Sequence, residues 1–291
     1  MSFGRTILGD NQFLGINHAS ADKALALDDK FAKSEAILEV IGWAYQAGIR
    51  EFMFTTHDRL KPVFEEIVRS RLFPSMQYIP CLPYAHKYAS SMTDGGIRAV
   101  FTDHLSGCSK TRLLAGVGRF VAGDFAAVMQ MLVEVEMLMT RGLDVKGVFL
   151  QNVIFDLIVG LRRQSLLERF HQYVSERFKA TPGYITMNHP LAQRVLCDEV
   201  GLVKPWICAN FNAAGFRMNP SPLDVEASFG NGRSQNIAMS IFASGALRAE
   251  GSVEYVRDFK GVDSILFGSS RRQNIEGNVA LIIGKPHAPA T

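Results

Sequence analysis

A chain of 291 residues, 47% of them hydrophobic and 20% charged, has the make-up of a folded protein large enough to bury a sizeable core. Its 31 basic and 28 acidic residues are interspersed and leave a net charge of +3, with no lysine or arginine run of the kind that marks a nucleic-acid or anionic-membrane surface. The longest strongly apolar stretch, Val148 to Leu161, is broken by Gln151, Asn152 and Asp156, short of the roughly 18 apolar residues a membrane span needs.

The opening MSFGRTILGDNQF lacks the apolar segment of a signal peptide. The four cysteines (Cys81, Cys108, Cys197, Cys208) show neither CxxC nor zinc-type spacing, so reduced, mostly buried thiols in a cytoplasmic protein are expected. The first strand is expected over Thr6 to Phe13, running into Leu14-Gly15-Ile16-Asn17-His18. A helix follows from about Ser34, with Ile37, Val40, Ile41 and Ala44 on one face, until Gly48 stops it. Ile49 to Thr56 reads as the second strand, ending in Thr55-Thr56-His57-Asp58, and the helix Pro62 to Arg71 leads to a third strand, Gln77 to Leu82.

Tyr88 to Gly123 loses periodicity, and an insertion or lid is expected at about 88–123. Asp124 is an expected N-cap for a helix whose face is Phe125, Val128, Met129 and Leu132; the methionines 129, 131, 137 and 139 read as packing. Lys146 to Gln151 is the fourth strand, and a long helix is expected over about Ser165 to Lys179. Tyr184 to Met187 and Trp206 to Ala209 make the fifth and sixth strands; Ile237 to Ile241 and Ser264 to Phe267 complete eight. Strands alternating with helix-length connections imply parallel pairing, so the expected fold is α/β, a (β/α)8 TIM barrel in one domain over residues 1–291.

In such a barrel, polar residues just beyond the strand ends converge on one mouth. Taken in order they are Asn17 and His18; His57 and Asp58; His86 and Lys87; Gln151 and Asn152; Asn188 and His189; Asn210 and Asn212; Ser240 and Ser244; and Ser269, Ser270 and Arg271. His57, His189, Asp58, His86 and Asn152 are the catalytic candidates, and Asn17, His18, Asn210 and Asn212 the substrate-binding ones. Singly, each could cap a helix or satisfy a loop amide; together they favour a functional mouth. The histidines suit acid-base work near neutrality, whereas metal binding lacks an HxH or HExxH spacing. Lys87 could serve as a Schiff-base amine or be a solvated loop lysine. Gly268-Ser269-Ser270-Arg271-Arg272, opening a helix after the eighth strand, suits a phosphate.

The order of segments resembles the aldo-keto reductase superfamily over most of the chain, most clearly after about Gly183. Gly48-Ile49-Arg50 is similar to that family's glycine before strand two, and Ile185-Thr186-Met187-Asn188 to the strand-five segment whose asparagine touches the nicotinamide. Ile237 to Gly245 looks like the strand-seven segment flanking the cofactor, and Ser264 to Asn278 like the closing strand and loop that hold its phosphates. The resemblance implies NADPH as cofactor, with Asn188, Ser240, Ser244, Ser269, Asn274 and Asn278 on contact positions beside Ser270 and Arg271. The family's Asp, Tyr, Lys and His tetrad does not carry over. Met53 stands in place of the Asp, His57 and Asp58 lie near the Tyr position, Pro80 to Pro83 near the Lys, and Asn152 replaces the His.

The sequence therefore points to an enzyme that binds a phosphate-bearing ligand at the last two loops and uses acid-base chemistry at the mouth. An NADPH-dependent oxidoreductase with a replaced tetrad, a lyase or isomerase acting on a sugar phosphate, and a non-catalytic nucleotide-binding barrel stay open beside it. The expected partner is a small phosphorylated molecule, with no nucleic acid, no membrane and no metal; the oligomeric state is open.

Overall fold

A computed structural model of the chain describes residues 2–16, 21–84 and 124–284. Eight parallel strands close into a barrel: β1 (Thr6–Leu8), β2 (Glu51–Thr55), β3 (Gln77–Leu82), β4 (Gly147–Leu150), β5 (Thr181–Thr186), β6 (Trp206–Asn210), β7 (Gln235–Met239) and β8 (Ser264–Phe267). Each pairs with its sequence neighbour, and β8 returns to β1 through Thr6↔Ile265, Ile7↔Leu266 and Leu8↔Phe267.

Side-chain alternation explains why these strands read as continuous apolar runs rather than as apolar-polar repeats. One set points inward, where Ile7, Met53, Ile79, Cys81, Phe149, Ile185, Cys208 and Ile237 form a single buried cluster. The other set, including Phe52, Phe54, Ala238 and Ile265, packs under the surrounding helices. The N-terminal end of the barrel is sealed by Phe3, whose ring meets Phe149 and Trp206 at centroid distances of 5.7 and 4.7 Å. Beside this plug the buried Glu51 carboxylate accepts from the Gly4 amide at 2.8 Å and pairs with Lys146 Nζ at 2.5 Å. That end is closed, so a ligand must enter from the other.

Several boundaries differ from the sequence reading. β1 ends at Leu8 instead of Phe13, because Asn11–Leu14 winds into a 3-10 turn closed by Gly15 at φ 64°. Helices at Ala21–Lys30, Asn152–Gly160 and Pro222–Gly230 were not anticipated. Asn152–Gly160 is apolar enough to merge with the preceding strand in a periodicity scan. The expected helix over Ser165 to Lys179 is regular over Gln164–Tyr173 and then widens into a π-type turn over Val174–Phe178.

Asp124 does cap Phe125–Met137, accepting from the Ala127 amide at 3.1 Å. Its buried face, however, is Ala126, Met129, Val133, Glu136 and Met137, while Phe125 is 49% exposed. The helix is apolar nearly all round, so its pattern singles out no stripe. Among the described residues no helix is long and apolar enough to cross a membrane. Cys81 and Cys208 are buried free thiols, and Cys197 is half-buried.

Candidate active site

Parallel strands deliver all their C-terminal ends to one rim, and most of the expected site residues that fall among the described ones follow those ends in the chain, with unequal freedom. Asn17, His18, His86, Lys87 and the 88–123 segment lie outside the described residues.

At the β2 end, His57 is half-buried in an extended conformation, and its Nδ1 accepts from the Arg59 amide at 3.1 Å. That bond leaves Nε2 to carry the proton of the neutral ring. The His57 ring lies 5.6 Å from the Tyr84 ring, while Asp58 is exposed. Glu136, buried in the helix Phe125–Met137, accepts from the Thr56 hydroxyl and from the Tyr84 amide at 3.0 Å, stapling that helix to the ends of β2 and β3. The signal for Glu136 was present: a carboxylate inside the apolar run MLVEVEML is buried only when it has partners.

Asp10 is the principal residue the sequence reading missed. It was assigned to the interior of a longer strand; in the structure it leaves the barrel wall two residues past β1. The Thr55 amide lies beyond the last β1–β2 pair, Leu8↔Phe52, and Asp10 Oδ2 accepts from it at 2.6 Å. Only 7% of Asp10 is exposed, and burial pushes its carboxyl up to about 6, with hydrogen bonds from Thr55 pulling the other way. Its charge in turn reaches Cys81 and Tyr84, whose thiol and hydroxyl are raised first by their own burial and then by Asp10.

Two expectations are corrected by their surroundings. His189 is buried behind the barrel wall and not in the mouth: Nδ1 meets Ser228 Oγ at 2.7 Å and Nε2 meets Asn236 Oδ1 at 2.8 Å. Burial lowers it to about 4, so it is a neutral packing histidine with both nitrogens engaged. Asn210 and Asn212 are likewise spent on the loop after β6. Asn210 Nδ2 donates to the Arg217 carbonyl at 3.1 Å, and Asn212 exchanges bonds of 2.8 and 3.0 Å with the Phe216 backbone.

Asn188 caps the helix His189–Arg194 through the Leu191 amide at 3.1 Å. It borders a cavity of about 310 Å³ lined also by Phe155, Asp156, Thr186, Met187 and Asn219. There Asp156, pushed up by burial, accepts from the Thr186 hydroxyl at 2.6 Å and the Met187 amide at 3.1 Å. Asn152, half-buried, opens the helix after β4.

The loops after β7 and β8 form the other half of the rim. Ser240, Ala243 and Ser244 hold φ of 57°, 46° and 59°, and Gly245 follows at 89°. Left-handed backbone at three non-glycine positions is costly and concentrates where a loop is shaped for a ligand. Beside it the helix Arg272–Ile282 begins with no side-chain cap; Arg271 is its N-cap residue, and its amide meets Ser269 Oγ at 3.3 Å. Lys30 donates to the Ser270 carbonyl at 2.6 Å. Arg217, Arg248 and Arg271 are exposed and form no ion pair among the described residues, whereas Arg272 is tied to Glu276 at 2.7 Å. Asn274 is exposed on the first turn, and Asn278 is buried on the inner face of the same helix. Among the described residues no group of three or more His, Cys, Asp or Glu is gathered to hold a metal.

No family model and no curated protein matches the sequence. Solved structures do resemble the fold. A Pseudomonas aeruginosa protein described as an aldo-keto reductase superposes with a TM-score of 0.56 at 13% identity, over 97% of this chain and 90% of that one. An aldo-keto reductase from Klebsiella pneumoniae in complex with NADPH gives 0.54 at 11%, over 98% and 87%, and one from Brucella melitensis 0.51 at 12%, over 86% and 84%. At such identities the likeness is one of fold: this is a closed (β/α)8 barrel of the aldo-keto-reductase-like form.

Proposed function

We propose that this barrel is an enzyme that binds a phosphate-bearing nucleotide, NADPH, across the loops after β7 and β8 and performs acid-base chemistry on a small substrate at the mouth. The observation that carries the reading is the uncapped start of Arg272–Ile282 beside the left-handed Ser240–Gly245 loop, with Arg217, Arg248 and Arg271 lacking acidic partners among the described residues. A helix start without a side-chain cap offers backbone N–H donors and the positive end of the helix dipole. Guanidinium groups following β6, β7 and β8 add charge that suits a phosphate. The Klebsiella structure with NADPH shares this fold, which favours a nicotinamide nucleotide over other phosphate carriers.

NADPH, when bound, supplies hydride chemistry. The chain's own part is to hold the phosphates, orient the substrate and move a proton at the rim. A sugar-phosphate lyase or isomerase is the second reading, and Tyr84 favours it. Its hydroxyl is raised by burial and by Asp10, opposite to the lowered tyrosine that hydride transfer in this superfamily relies on.

The test is equilibrium titration followed by nicotinamide fluorescence. We expect saturable NADPH binding that weakens about tenfold or more in Arg271→Ala, the loss of one charge-assisted contact. Absence of saturable binding by the wild type contradicts the NADPH reading; tight binding untouched by Arg271→Ala contradicts the placement.

A further inference from the structure

The mouth has two halves, and the phosphate reading accounts for only one. On the other side, at the ends of β1 to β3, the structure gathers Asp10, Thr55, His57, Cys81 and Tyr84. Asp10 is the buried carboxylate of this group. It is enclosed by β2 through the Thr55 amide, by the inward-facing Cys81 of β3, and by Tyr84 just beyond. On the β8 side its neighbour Gln12 occupies the space over Gly268, where an added Cβ would lie 2.0 Å from Gln12 Oε1.

Among the described residues Asp10 forms no ion pair, so no cation fixes its carboxyl in the ionised state. The Thr55 amide holds Oδ2 in place. A carboxyl that is buried, positioned and uncompensated by cationic charge is suited to carrying a proton in and out of a reaction. His57 is less enclosed, and one of its nitrogens is committed to the Arg59 amide.

We propose that Asp10 is the catalytic acid and base of this mouth, protonating the oxygen of a small carbonyl substrate and recovering that proton from solvent. This rests on the reading that the mouth is the reaction site and takes a nicotinamide nucleotide. In the forward direction the carboxyl O–H bond breaks as a new O–H bond forms on the substrate oxygen. The electron pair needed at the carbonyl carbon comes from a nicotinamide hydride donor, and Asp10 is left as carboxylate. In the reverse direction the carboxylate takes the proton from the substrate hydroxyl. The groups facing it are Thr55 from β2, Cys81 from β3, Tyr84 just beyond β3, and His57 across the Tyr84 ring; the thiol and the phenol stay protonated throughout the neutral range.

The test has one readout that needs no substrate. Infrared difference titration of the full chain, wild type against Asp10→Asn, is expected to show a protonated-carboxyl band that the substitution removes and that titrates at about 6. In parallel, NADPH consumption with a panel of small aldehydes and ketones is expected to fall about 100-fold or more in Asp10→Asn, with thermal stabilisation by NADPH retained. If Asp10→Asn does not fold, Asp10→Glu and carboxyl-carbon NMR of the aspartate-labelled wild type give the same titration. NADPH stabilisation with no such band, with an unchanged rate in Asp10→Asn, or with a wild type inert toward the whole panel overturns the role of Asp10 and spares the cofactor reading. A band titrating near this value with no NADPH stabilisation overturns the cofactor reading and, with it, the reduction step, while the protonated carboxyl of Asp10 stands.

Discussion

At the scale of single residues, Asp10 and His189 are both buried titratable groups, and their consequences for stability have opposite sign. Asp10 is raised from 3.8 to about 6, so the folded state holds its proton more tightly than the unfolded chain does. The stabilisation from that proton is complete below about pH 4 and is lost as pH rises through 6. Asp10→Asn removes the dependence. We expect the variant to gain on the wild type by on the order of 3 kcal/mol above pH 6, and to converge with it toward pH 4, in chemical denaturation measured across that range. A constant difference would contradict the buried carboxyl.

His189 runs the other way. Lowered from 6.5 to about 4, it contributes stability that is present above 6.5 and lost as pH falls through 4. His189→Ala removes one hydrogen-bond partner each from the buried Ser228 Oγ and Asn236 Oδ1 and leaves a cavity, so a loss of about 2–4 kcal/mol at neutral pH is expected, narrowing in acid, with NADPH binding unchanged. Weakened NADPH binding in a variant that still folds would return His189 to the site. Sequence alone could not separate these two groups. His189 follows a strand end as a catalytic residue would, and only the positions of Ser228 and Asn236 show that it faces the helices. Gly9-Asp10-Asn11 is a turn cluster that could have ended the strand at Leu8, but the burial of Asp10 was hidden because the Thr55 amide that captures its carboxyl is 45 residues away.

At the scale of elements, the strands were legible and the helices less so. β3 and β8 match their expected bounds because each is a short β-rich run between turn residues. The helix Asn152–Gly160 went unnamed because it is nearly as apolar as β4 and shows no clear face, and Phe125–Met137 buries a different face because it is apolar nearly all round. Packing inside the barrel gives a sharper check on the register. Gly183 on β5 sits opposite Phe149 on β4, and an added Cβ would lie 2.2 Å from that ring. Phe149 is itself held by Phe3, so it has little room to yield. Gly183→Ala should therefore destabilise the fold by about 1–3 kcal/mol, measured as a lowered denaturation midpoint with an unchanged slope. An undisturbed midpoint would mean that Phe149 does not fill the barrel there.

At the scale of the molecule, a barrel sealed at one end by Phe3, Trp206 and the Glu51–Lys146 pair leaves one mouth for chemistry. In the reading we propose, that mouth divides into an anion-binding side, after β7 and β8, and an acid-base side, at the ends of β1 to β3. The sequence points to the first through Gly268 to Arg272, since glycine, hydroxyl and guanidinium groups at a helix start are a local pattern. Among the described residues it named His57 and Asp58 of the second and missed Asp10 and Glu136, because that side is assembled from three strands and from a helix.

The division of the mouth is tested most directly by a thermal-shift titration of the wild type and of Arg271→Ala with NADPH, NADH and a set of sugar phosphates. A ligand that binds only the folded state stabilises it by about 2.7 kcal/mol at a hundred times its Kd. The account predicts a rise in melting temperature with NADPH that is much reduced in Arg271→Ala. Stabilisation by sugar phosphates alone, or by NADPH equally in both proteins, would contradict it.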